Sequence, residues 1–564
     1  MAAVVCSAPF VAGSVSLSRG SPAGNATAPL RSLAATCARP ARRLACSATA
    51  MPFIDDRAAS LQLAPPALAE TDRKTRVVVL GSGWGAVSLI MNLDPAAFGE
   101  HGDYELVLVS PRNHMVYTPL LPSAVGGVVS ETSIVESIRT LIEGKGIYYE
   151  ARATNIDPFN RKLTLVKEYC EVCARKKAAG QAAGHHGHSE ADHELTIPYD
   201  ILICSVGAVN ATFGIKGVQE HCFFLKTMED AKTLRRHISK AIELAALPDV
   251  SPEQRKRMLN FVICGGGPTG VETAAELMDL VSEDIAHHMP QIKEDVSITL
   301  VDGMDNLLSS YDKEIQDYAS SVFESSGIKL RMGCRVTQVL DGQLEVQTKE
   351  GKTDLIPFST CVWAAGIAMH PLVASLKEKL PADLQTSRRG LLVDEHLRVV
   401  GSQGTIYCLG DAAVTGTTPQ TTLPPTAQVA KQQGVYMAAL LNRNKLALRP
   451  AFSAWPGRSS WPSYERDEHH AHDDDENAPD LVPLPEGTKP FSYFHMGALC
   501  YLGNHKGVMD LPFKTPFLRT LKGTLGGQTW KGLETIMQIS HRTRWLVTHD
   551  WLRNAVFGRN ISDI

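Results

Sequence analysis

The first clear pattern of apolar positions is a four-residue run at 77–80, which is typical of a strand buried on both faces. A glycine-rich turn follows, and an amphipathic segment at 87–93 predicts a helix. Strand, turn and helix in this order open a dinucleotide-binding fold, in which N–H groups at the helix N-terminus face a pyrophosphate. A tight packing turn without a ligand is the alternative. The candidate cofactor residues of this turn are Gly81, Gly83, Trp84, Gly85 and Ala86.

The same arrangement returns at 260–277, with a complete G-x-G-x-x-G motif, and a later apolar run at 297–301 ends at Asp302. An acid at this position accepts the hydroxyls of an adenosine ribose and repels a 2′-phosphate, so Asp302 predicts NADH in preference to NADPH. A solvated acid at a strand end is the alternative. The candidate nicotinamide-nucleotide residues are Gly265, Gly267, Pro268, Gly270, Glu272, Asp302, Ala365 and Gly366.

Glu272 lies early on the second predicted helix, near the expected phosphates. If its side chain faces the cleft, it is placed to orient the nicotinamide ring or its ribose. The alternative is an acid that only complements the positive end of the helix dipole.

The first turn lacks an acid of this kind, because the next apolar run ends in Ser110, Pro111 and Arg112. Ser110 is a candidate acceptor for a ribose hydroxyl, and Arg112 is a candidate for neutralising a pyrophosphate. Later apolar runs end at Gly207 and at Gly410-Asp411, where the carboxylate can bind a ribitol hydroxyl. Two nucleotide sites and this Gly-Asp pair predict FAD in the first domain and a nicotinamide nucleotide in the second.

The composition narrows the range of partners. The formal net charge of −4 comes without a basic excess in any domain, which argues against nucleic acid. No run reaches the roughly 20 apolar residues that span a bilayer, so we expect any membrane contact to be interfacial. Several cysteines lie inside apolar strand-like runs, which is typical of a reducing compartment.

Residues 1–54 contain no Asp or Glu but carry several arginines among many Ala and Ser residues. This composition predicts an organelle transit peptide, and a disordered tail without a function is the alternative. The start of the chain and the stretch around Cys46 resemble plastid presequences, although the arginine density also suits a mitochondrial one.

Two segments interrupt the regular pattern. The first, at 166–196, contains Cys170 and Cys173 followed by several histidines, and zinc or redox chemistry is one interpretation. The histidines lack the spacing of a zinc finger, so we predict a long hairpin loop and no metal site. The second, at 451–490, is rich in His and acidic residues and is predicted to be a disordered insertion.

At 423–434, which reads Leu-Pro-Pro-Thr-Ala-Gln-Val-Ala-Lys-Gln-Gln-Gly, the chain resembles the type II, single-subunit NAD(P)H:quinone oxidoreductases of plant and algal organelles. The stretches 110–113, 118–122, 493–503 and 550–562 strengthen the resemblance. It implies an α/β fold with glutathione-reductase-like topology, FAD in the first domain and NAD(P)H in the second. The implied domains are 75–225 with 385–450 for FAD, 226–384 for NAD(P)H, and 491–564 for membrane anchoring.

In that family the helix with this motif borders the quinone tunnel, so Ala427, Gln428 and Gln432 are placed beside the flavin, together with Thr118 and Pro119. The two glutamine amides lie about one helical turn apart on one face, from which they can donate to quinone carbonyls. A solvent-facing helix surface is the alternative. We expect no side chain to take part covalently. The orienting residues that we predict are Thr118, Glu272, Gln428 and Gln432.

The C-terminal region contains Trp530, Trp545 and Trp551 together with several arginines. Tryptophan with flanking basic residues suits a helix that lies in the membrane interface. Two faces are predicted, one formed by Trp530, Leu533 and Met537 and one by Leu546, Trp551 and Leu552. The alternative is a helix pair packed on the domain or on a dimer mate.

The resulting hypothesis is a peripheral membrane flavoprotein that passes two electrons from NADH, with NADPH as a second donor, through FAD to a quinone without pumping protons. We expect a homodimer on the stromal side of the plastid thylakoid membrane, using plastoquinone. The mitochondrial inner membrane with ubiquinone is the alternative. One rival is a disulfide or sulfide:quinone reductase, although the first helix has no cysteine pair. The other is a non-enzymatic flavoprotein that responds to NADH.

Overall fold

The structure is a computed structural model that describes residues 74–98, 102–167, 194–416, 422–443, 484, 487–511 and 520–560. All of these belong to one folded unit, Ala69–Ile564. The predicted transit peptide at 1–54, the Cys170 and Cys173 motif and most of the 451–490 insertion lie outside the described residues.

The described strands are, in chain order, β1 (Thr75–Leu80), β2 (Tyr104–Ser110), β3 (His114–Val116), β4 (Val135–Ser137), β5 (Gly146–Asp157), β6 (Lys162–Lys167), β7 (Glu194–Pro198), β8 (Ile201–Cys204), β9 (Ala208–Asn210), β10 (Cys222–Phe224), β11 (Asn260–Cys264), β12 (Ser297–Val301), β13 (Lys329–Arg331), β14 (Arg335–Leu340), β15 (Gln343–Gln347), β16 (Thr353–Pro357), β17 (Thr360–Trp363), β18 (Ile367–Met369), β19 (Leu391–Val393), β20 (Ile406–Cys408), β21 (Ala413–Thr415), β22 (Ala498–Gly503), β23 (Lys506–Asp510) and β24 (Thr520–Gly523).

The described α-helices are α1 (Trp84–Asn92), α2 (Pro95–Phe98), α3 (Leu121–Val125), α4 (Ile138–Ile142), α5 (Val218–His221), α6 (Met228–Ala245), α7 (Pro252–Met258), α8 (Pro268–Asp279), α9 (Ala286–His288), α10 (Lys313–Ser325), α11 (Pro371–Glu378), α12 (Ala427–Asn442), α13 (Thr524–Ile536) and α14 (His541–Phe557). Short 3₁₀ helices lie at Thr118–Leu120, Glu131–Ser133, Pro290–Asp295 and Gly410–Ala412, and a π-helix lies at Leu280–Ile285.

The first sheet has the order β20-β8-β1-β2-β5-β6-β7, parallel from β20 to β5 and antiparallel from β5 to β7. Val77, Val78 and Val79 of β1 are fully buried, as their apolar run predicts for a strand covered on both faces. β20 joins this sheet after the second domain, so the first domain is interrupted as predicted. β6 and β7 pair directly, which is the hairpin expected on either side of the loop.

The second domain is built on the parallel sheet β10-β17-β11-β12-β13, with the antiparallel sheet β14-β15-β16 beside it. Because β10 pairs with β17, this domain begins at Cys222, ahead of the predicted start at 226. The chain also returns earlier than the predicted residue 385. Leu372 and Val373 of α11 are already part of the core of the first domain. The α/β fold with two Rossmann-like domains is confirmed.

The C-terminal module consists of the antiparallel sheet β22-β23-β24 with α13 and α14, and it shares its core with the second domain. Trp530 is 2 % exposed and stacks on Tyr501, with ring centroids 5.0 Å apart, and its edge contacts Trp551 at 5.9 Å. Trp530, which was predicted to lie in the membrane interface, therefore packs inward against these two aromatic rings. Trp545 instead is 75 % exposed. No helix of the described residues is both long enough and apolar enough to cross a bilayer.

Candidate functional site

The turn after β1 has the geometry of a pyrophosphate cradle. Gly81 has φ +105°, and a Cβ there would lie 2.3 Å from the Ser205 carbonyl oxygen, so only glycine fits. Gly83 precedes α1 as its N-cap, and no atom lies within 4 Å of the position of an added Cβ. The first glycine thus permits the turn, and the second leaves free space at the N-terminus of a helix. Ala86 is fully buried on α1 against the sheet.

Ser110 organises this turn from the end of β2. Its hydroxyl donates to Ser82 Oγ at 2.9 Å and accepts from the Arg112 N–H at 3.2 Å. The side chain is buried, and both of these contacts lie within the protein. Its contact with a ribose hydroxyl stays a prediction. The neighbouring Arg112 is exposed and remains available for an anionic ligand.

A tryptophan joins two distant segments beside the turn. Trp84 Nε1 donates to Thr118 Oγ1 at 3.0 Å, and the Trp84 ring contacts the Tyr117 ring with centroids 5.1 Å apart. Thr118 and Pro119 begin a short 3₁₀ helix and are thereby held next to the first turn. The structure therefore brings two of the predicted site segments together.

The Gly410-Asp411 pair lies in a pocket close to the end of β20. Gly410 has φ +66°, and its N–H donates to Gln433 Oε1 at 2.7 Å. Burial raises the pKa of Asp411, whereas the nearby Lys226 ammonium lowers it. The pocket is lined by Ile367, Arg389, Gly410, Asp411, Ala413, Val414, Thr415, Thr422, Leu423, Pro424, Pro425, Val429 and Gln433.

Sequence reasoning missed Gln433 and Lys226. Gln433 is buried on α12, one position after the predicted Gln432, and only the packing of this helix shows which of the two faces the turn. Lys226 precedes the capping box of α6 and acts on Asp411 from the other domain. The sequence offered one signal for Lys226, namely that this lysine lies close to the point where the chain passes from the first domain into the second.

The predicted quinone-facing amides are already paired. Gln428 Nε2 donates to the Gly497 carbonyl at 2.7 Å. Gln432 Nε2 donates to the Phe494 carbonyl at 2.7 Å, and its Oε1 accepts from the Phe494 N–H at 2.9 Å. Both amides thus bind the backbone of 494–497 and hold this segment against α12. Ala427 is the first residue of that helix.

The second cradle repeats the first. Gly265 has φ +122°, with an added Cβ 2.7 Å from the Ala364 carbonyl oxygen. Gly267 is the N-cap of α8, with no atom within 4 Å of its missing Cβ. Asp302 follows β12, and its carboxylate accepts from the Gly266 N–H and, at 2.6 Å, from the Met304 N–H. Asp302 therefore holds the turn in addition to its predicted ribose contact.

The remaining predicted residues surround this second turn. Gly270 packs α8 tightly on its strand, since an added Cβ would lie 1.9 Å from the Gly265 carbonyl oxygen. Pro268 occupies the first turn of α8, where its missing N–H costs nothing. Ala365 and Gly366 follow β17, just as Gly207 follows β8.

Glu272 is the most unusual group in this region. It lies beyond the first turn of α8 and is buried, so the surface dipole interpretation does not apply. Its Oε1 accepts from the Tyr501 N–H of β22 at 3.1 Å. Burial raises the pKa of Glu272 well above its usual range, and Glu534 and Glu276 add to the rise.

Known proteins match nearly the whole described chain. The family model "Pyridine nucleotide-disulphide oxidoreductase" matches residues 75–434, and "NDH2 C-terminal domain" matches 495–560. An external alternative NADH-ubiquinone oxidoreductase of mitochondria from Yarrowia lipolytica is 37 % identical over 88 % of this chain and 81 % of that protein. A relative from Solanum tuberosum, named external alternative NAD(P)H-ubiquinone oxidoreductase B1, mitochondrial, is 32 % identical over 87 % and 91 %.

Among solved structures, NDH2 from Plasmodium falciparum in complex with NADH has a TM-score of 0.70 at 24 % identity, covering 87 % of this chain and all of that one. This likeness supports the fold, and the identities above support the family. The chain belongs to the type II, or alternative, NADH:quinone oxidoreductase family.

Proposed function

We propose that this chain oxidises NADH and passes two electrons through FAD to a membrane quinone without pumping protons. The observation that carries the proposal is the pair of glycine cradles, each with free space beside the N-cap glycine of a buried helix. One cradle belongs to each domain of a chain from the type II family. Two such cradles suit two nucleotide cofactors, FAD and NADH.

The residues present fit FAD in the first domain. When bound, FAD supplies the two-electron chemistry between the nicotinamide and the quinone. The N–H groups at the start of α1, with Gly83, would bind its pyrophosphate, and Asp411 would bind a ribitol hydroxyl. The Trp84–Thr118 hydrogen bond holds the rim of the site. In the second domain, Gly267 and Asp302 would bind NADH.

We infer that Gln428 and Gln432 act on the quinone indirectly. Their amides hold 494–497, and this segment presents the exposed side chains of Phe494 and Met496. These side chains suit an apolar quinone ring that enters from a membrane. The role in quinone binding that the resemblance implies is thus assigned to the whole segment.

The outer face of α14 suits contact with a bilayer. Trp545, Leu552, Val556 and Phe557 are exposed, and the first three recur at intervals of seven and four, which places them on one side of the helix. Apolar side chains on one face, with Arg542 near them, match a helix that lies in the membrane interface. We assign membrane docking to this face, in place of the buried Trp530.

The mitochondrial inner membrane and ubiquinone are the proposed location and acceptor. The sequence favours a plastid and plastoquinone, whereas both relatives above carry mitochondrial names. A fusion of residues 1–54 to a fluorescent protein should enter isolated mitochondria. Import into chloroplasts alone would restore the plastid interpretation.

Stopped-flow kinetics test the function directly. We expect NADH to bleach the flavin absorbance of the purified protein, and a short-chain quinone in liposomes to restore it. NADPH should reduce the flavin more slowly, because Asp302 repels a 2′-phosphate. A flavin that stays reduced in the presence of quinone would overturn the proposal.

Two further measurements distinguish the proposed function from its two alternatives, a disulfide or sulfide:quinone reductase and a non-enzymatic flavoprotein. The double substitution Cys170→Ser and Cys173→Ser should leave NADH:quinone turnover intact, and loss of flavin reduction would instead support a disulfide reductase. NADH oxidation that quinone does not accelerate would support the non-enzymatic flavoprotein. The homodimer stays a prediction, and sedimentation equilibrium of the purified protein measures it.

A further inference from the structure

An exposed aromatic side chain lies in a strained turn between the two domains. Residues 212–215 form a β-turn that is closed by the Ile215 N–H, which donates to the Thr212 carbonyl at 2.9 Å. The two central residues, Phe213 and Gly214, have φ +53° and +71°, as in a type I′ turn. Asn, Asp and Gly are favoured in such a turn, and a left-handed backbone is costly for a bulky side chain.

Burial does not offset this cost at Phe213, because its side chain is 67 % exposed. Leu308 and Leu397 also have a left-handed φ, but both are fully buried, so core packing accounts for their conformation. Strained residues cluster at binding and catalytic sites, where the strain is part of the function. A strained aromatic residue that stays on the surface therefore points to a ligand.

The turn is fixed against the carboxyl end of β17. The Ala211 N–H, directly before the turn, donates to the Gly366 carbonyl at 3.3 Å. The Phe213 ring lies over Gly366, since a Cβ added to this glycine would be 2.4 Å from Phe213 Cζ. The next residue, Ile367, is half-buried and lines the pocket of Asp411 in the first domain. Phe213 therefore lies where the two cofactor sites meet.

The order of strands in the second sheet decides which half of the nucleotide reaches Phe213. β11 leads into the second cradle, and it lies between β17 and β12. Ligands of a parallel sheet bind at the carboxyl ends of its strands. Asp302 follows β12 and is predicted to bind the adenosine ribose. The other half of the dinucleotide, which carries the nicotinamide, is thereby directed towards β17, the side of Gly366 and Phe213.

We propose that the Phe213 ring packs against the nicotinamide half of NADH and is a binding residue for this donor. The inference rests on the proposed function. Aromatic side chains bind planar nucleotide rings by stacking, and this contact would cover the apolar surface that Phe213 exposes. Because the strained turn holds the ring over Gly366, the ring is already in place before the nucleotide binds.

Phe213→Asn distinguishes a binding role from a packing role. Asn is favoured in a type I′ turn, so the variant should unfold at a higher urea concentration than the wild type. The dependence of flavin reduction on NADH concentration, measured by stopped flow, should give a Kd about tenfold higher, as expected for the loss of one stacking contact. Phe213→Tyr retains the ring and should keep the wild-type Kd. Phe159→Asn, at a similarly exposed site between β5 and β6, should also keep it.

ADP-ribose, which lacks the nicotinamide ring, identifies the half of the nucleotide that Phe213 contacts. Its Ki as a competitor of NADH should be equal in Phe213→Asn and in the wild type. The inference is overturned by an unchanged Kd for NADH, by an equal loss of affinity for ADP-ribose, or by a lower urea midpoint in this variant.

Fluorine NMR decides if Phe213→Asn fails to fold. With 4-fluorophenylalanine at position 213 of the otherwise wild-type chain, NAD⁺ should shift the ¹⁹F resonance and ADP-ribose should not. A resonance that NAD⁺ leaves unshifted would contradict the contact. A wild-type flavin that NADH reduces but quinone cannot reoxidise would instead overturn the proposed function and leave this inference standing.

Discussion

At the scale of single residues, each cofactor turn is held by one side chain that is distant in sequence. Asp302 accepts the Gly266 N–H of the second cradle, and Gln433 accepts the Gly410 N–H in the first domain. A buried N–H that loses its acceptor costs about 1–3 kcal/mol. Both side chains therefore couple the shape of a binding turn to packing elsewhere in the same domain.

Asp302→Asn should change the choice of nucleotide. The amide lacks the charge that repels a 2′-phosphate but retains an oxygen that accepts one of the two backbone N–H groups. We expect kcat/KM for NADPH relative to NADH to rise about tenfold, equivalent to roughly 1.4 kcal/mol. Steady-state kinetics with both donors measure this ratio. An unchanged ratio would remove Asp302 from nucleotide selection.

Gln433→Leu should weaken the binding of FAD. The substitution preserves the volume of the side chain but leaves the Gly410 N–H without its acceptor, beside the buried Asp411. We expect the Kd for FAD to rise about tenfold, in line with the cost of an unpaired buried N–H. Flavin fluorescence during dialysis measures Kd. Gln343→Leu, on the exposed end of β15, is the matched control and should retain FAD.

At the scale of elements, the two C-terminal helices divide their aromatic residues between the core and the surface. Trp530 packs against both Trp551 and Tyr501, whereas Trp545 is exposed. Helix α14 begins at a capping box in which Ser540 and Thr543 bond reciprocally, which fixes the residue at which the helix starts and hence its register. This register decides which side of α14 is available to a membrane.

The substitutions Trp545→Ser and Phe557→Ser together should weaken membrane binding. Phe557 is 83 % exposed, and both side chains make their apolar area available to the interface. At about 1–2 kcal/mol each, the pair should lower the liposome partition coefficient roughly 30-fold or more. Flotation of the protein with liposomes measures this coefficient. Leu355→Ser removes an exposed apolar side chain on β16 and should have no effect. If the double variant binds liposomes as strongly as the Leu355→Ser control, membrane docking through α14 is disproved.

At the scale of the whole molecule, the C-terminal segment is tied to the second domain by one arginine. Arg559 is buried and forms ion pairs with four carboxylates, those of Glu276 at 2.8 Å, Asp279 at 3.5 Å, Glu283 at 3.3 Å and Asp284 at 3.2 Å. Next to it, the Asn560 carbonyl accepts from Arg235 at 2.6 Å. These contacts close the module over α8, which carries Glu272.

Arg559→Met should destabilise the fold strongly and in a pH-dependent way. Loss of the cation leaves several carboxylates unpaired, at a cost of about 3–5 kcal/mol. The cost should be smaller at pH 5 than at pH 8, because burial already raises the pKa of Asp279 to about 6 and protonation removes its charge. Urea unfolding at both pH values measures the difference. A pH-independent loss would show that lost packing, rather than charge, is responsible.

Local chemistry in the sequence determined the two cradles and the strands that lead into them. A tight turn needs glycine at Gly81 and Gly265, and apolar runs such as 77–80 are buried wherever a parallel sheet forms. These features depend on neighbours within a few residues, so the order of residues is sufficient to predict them.

Only the tertiary structure decided which side chains meet. Gln433 rather than Gln432 faces a cofactor turn, Trp530 packs inward, and β10 joins the second sheet. Each of these outcomes depends on contacts between segments far apart in the chain. A helix that is apolar on more than one side does not specify, by itself, which side its partners will cover.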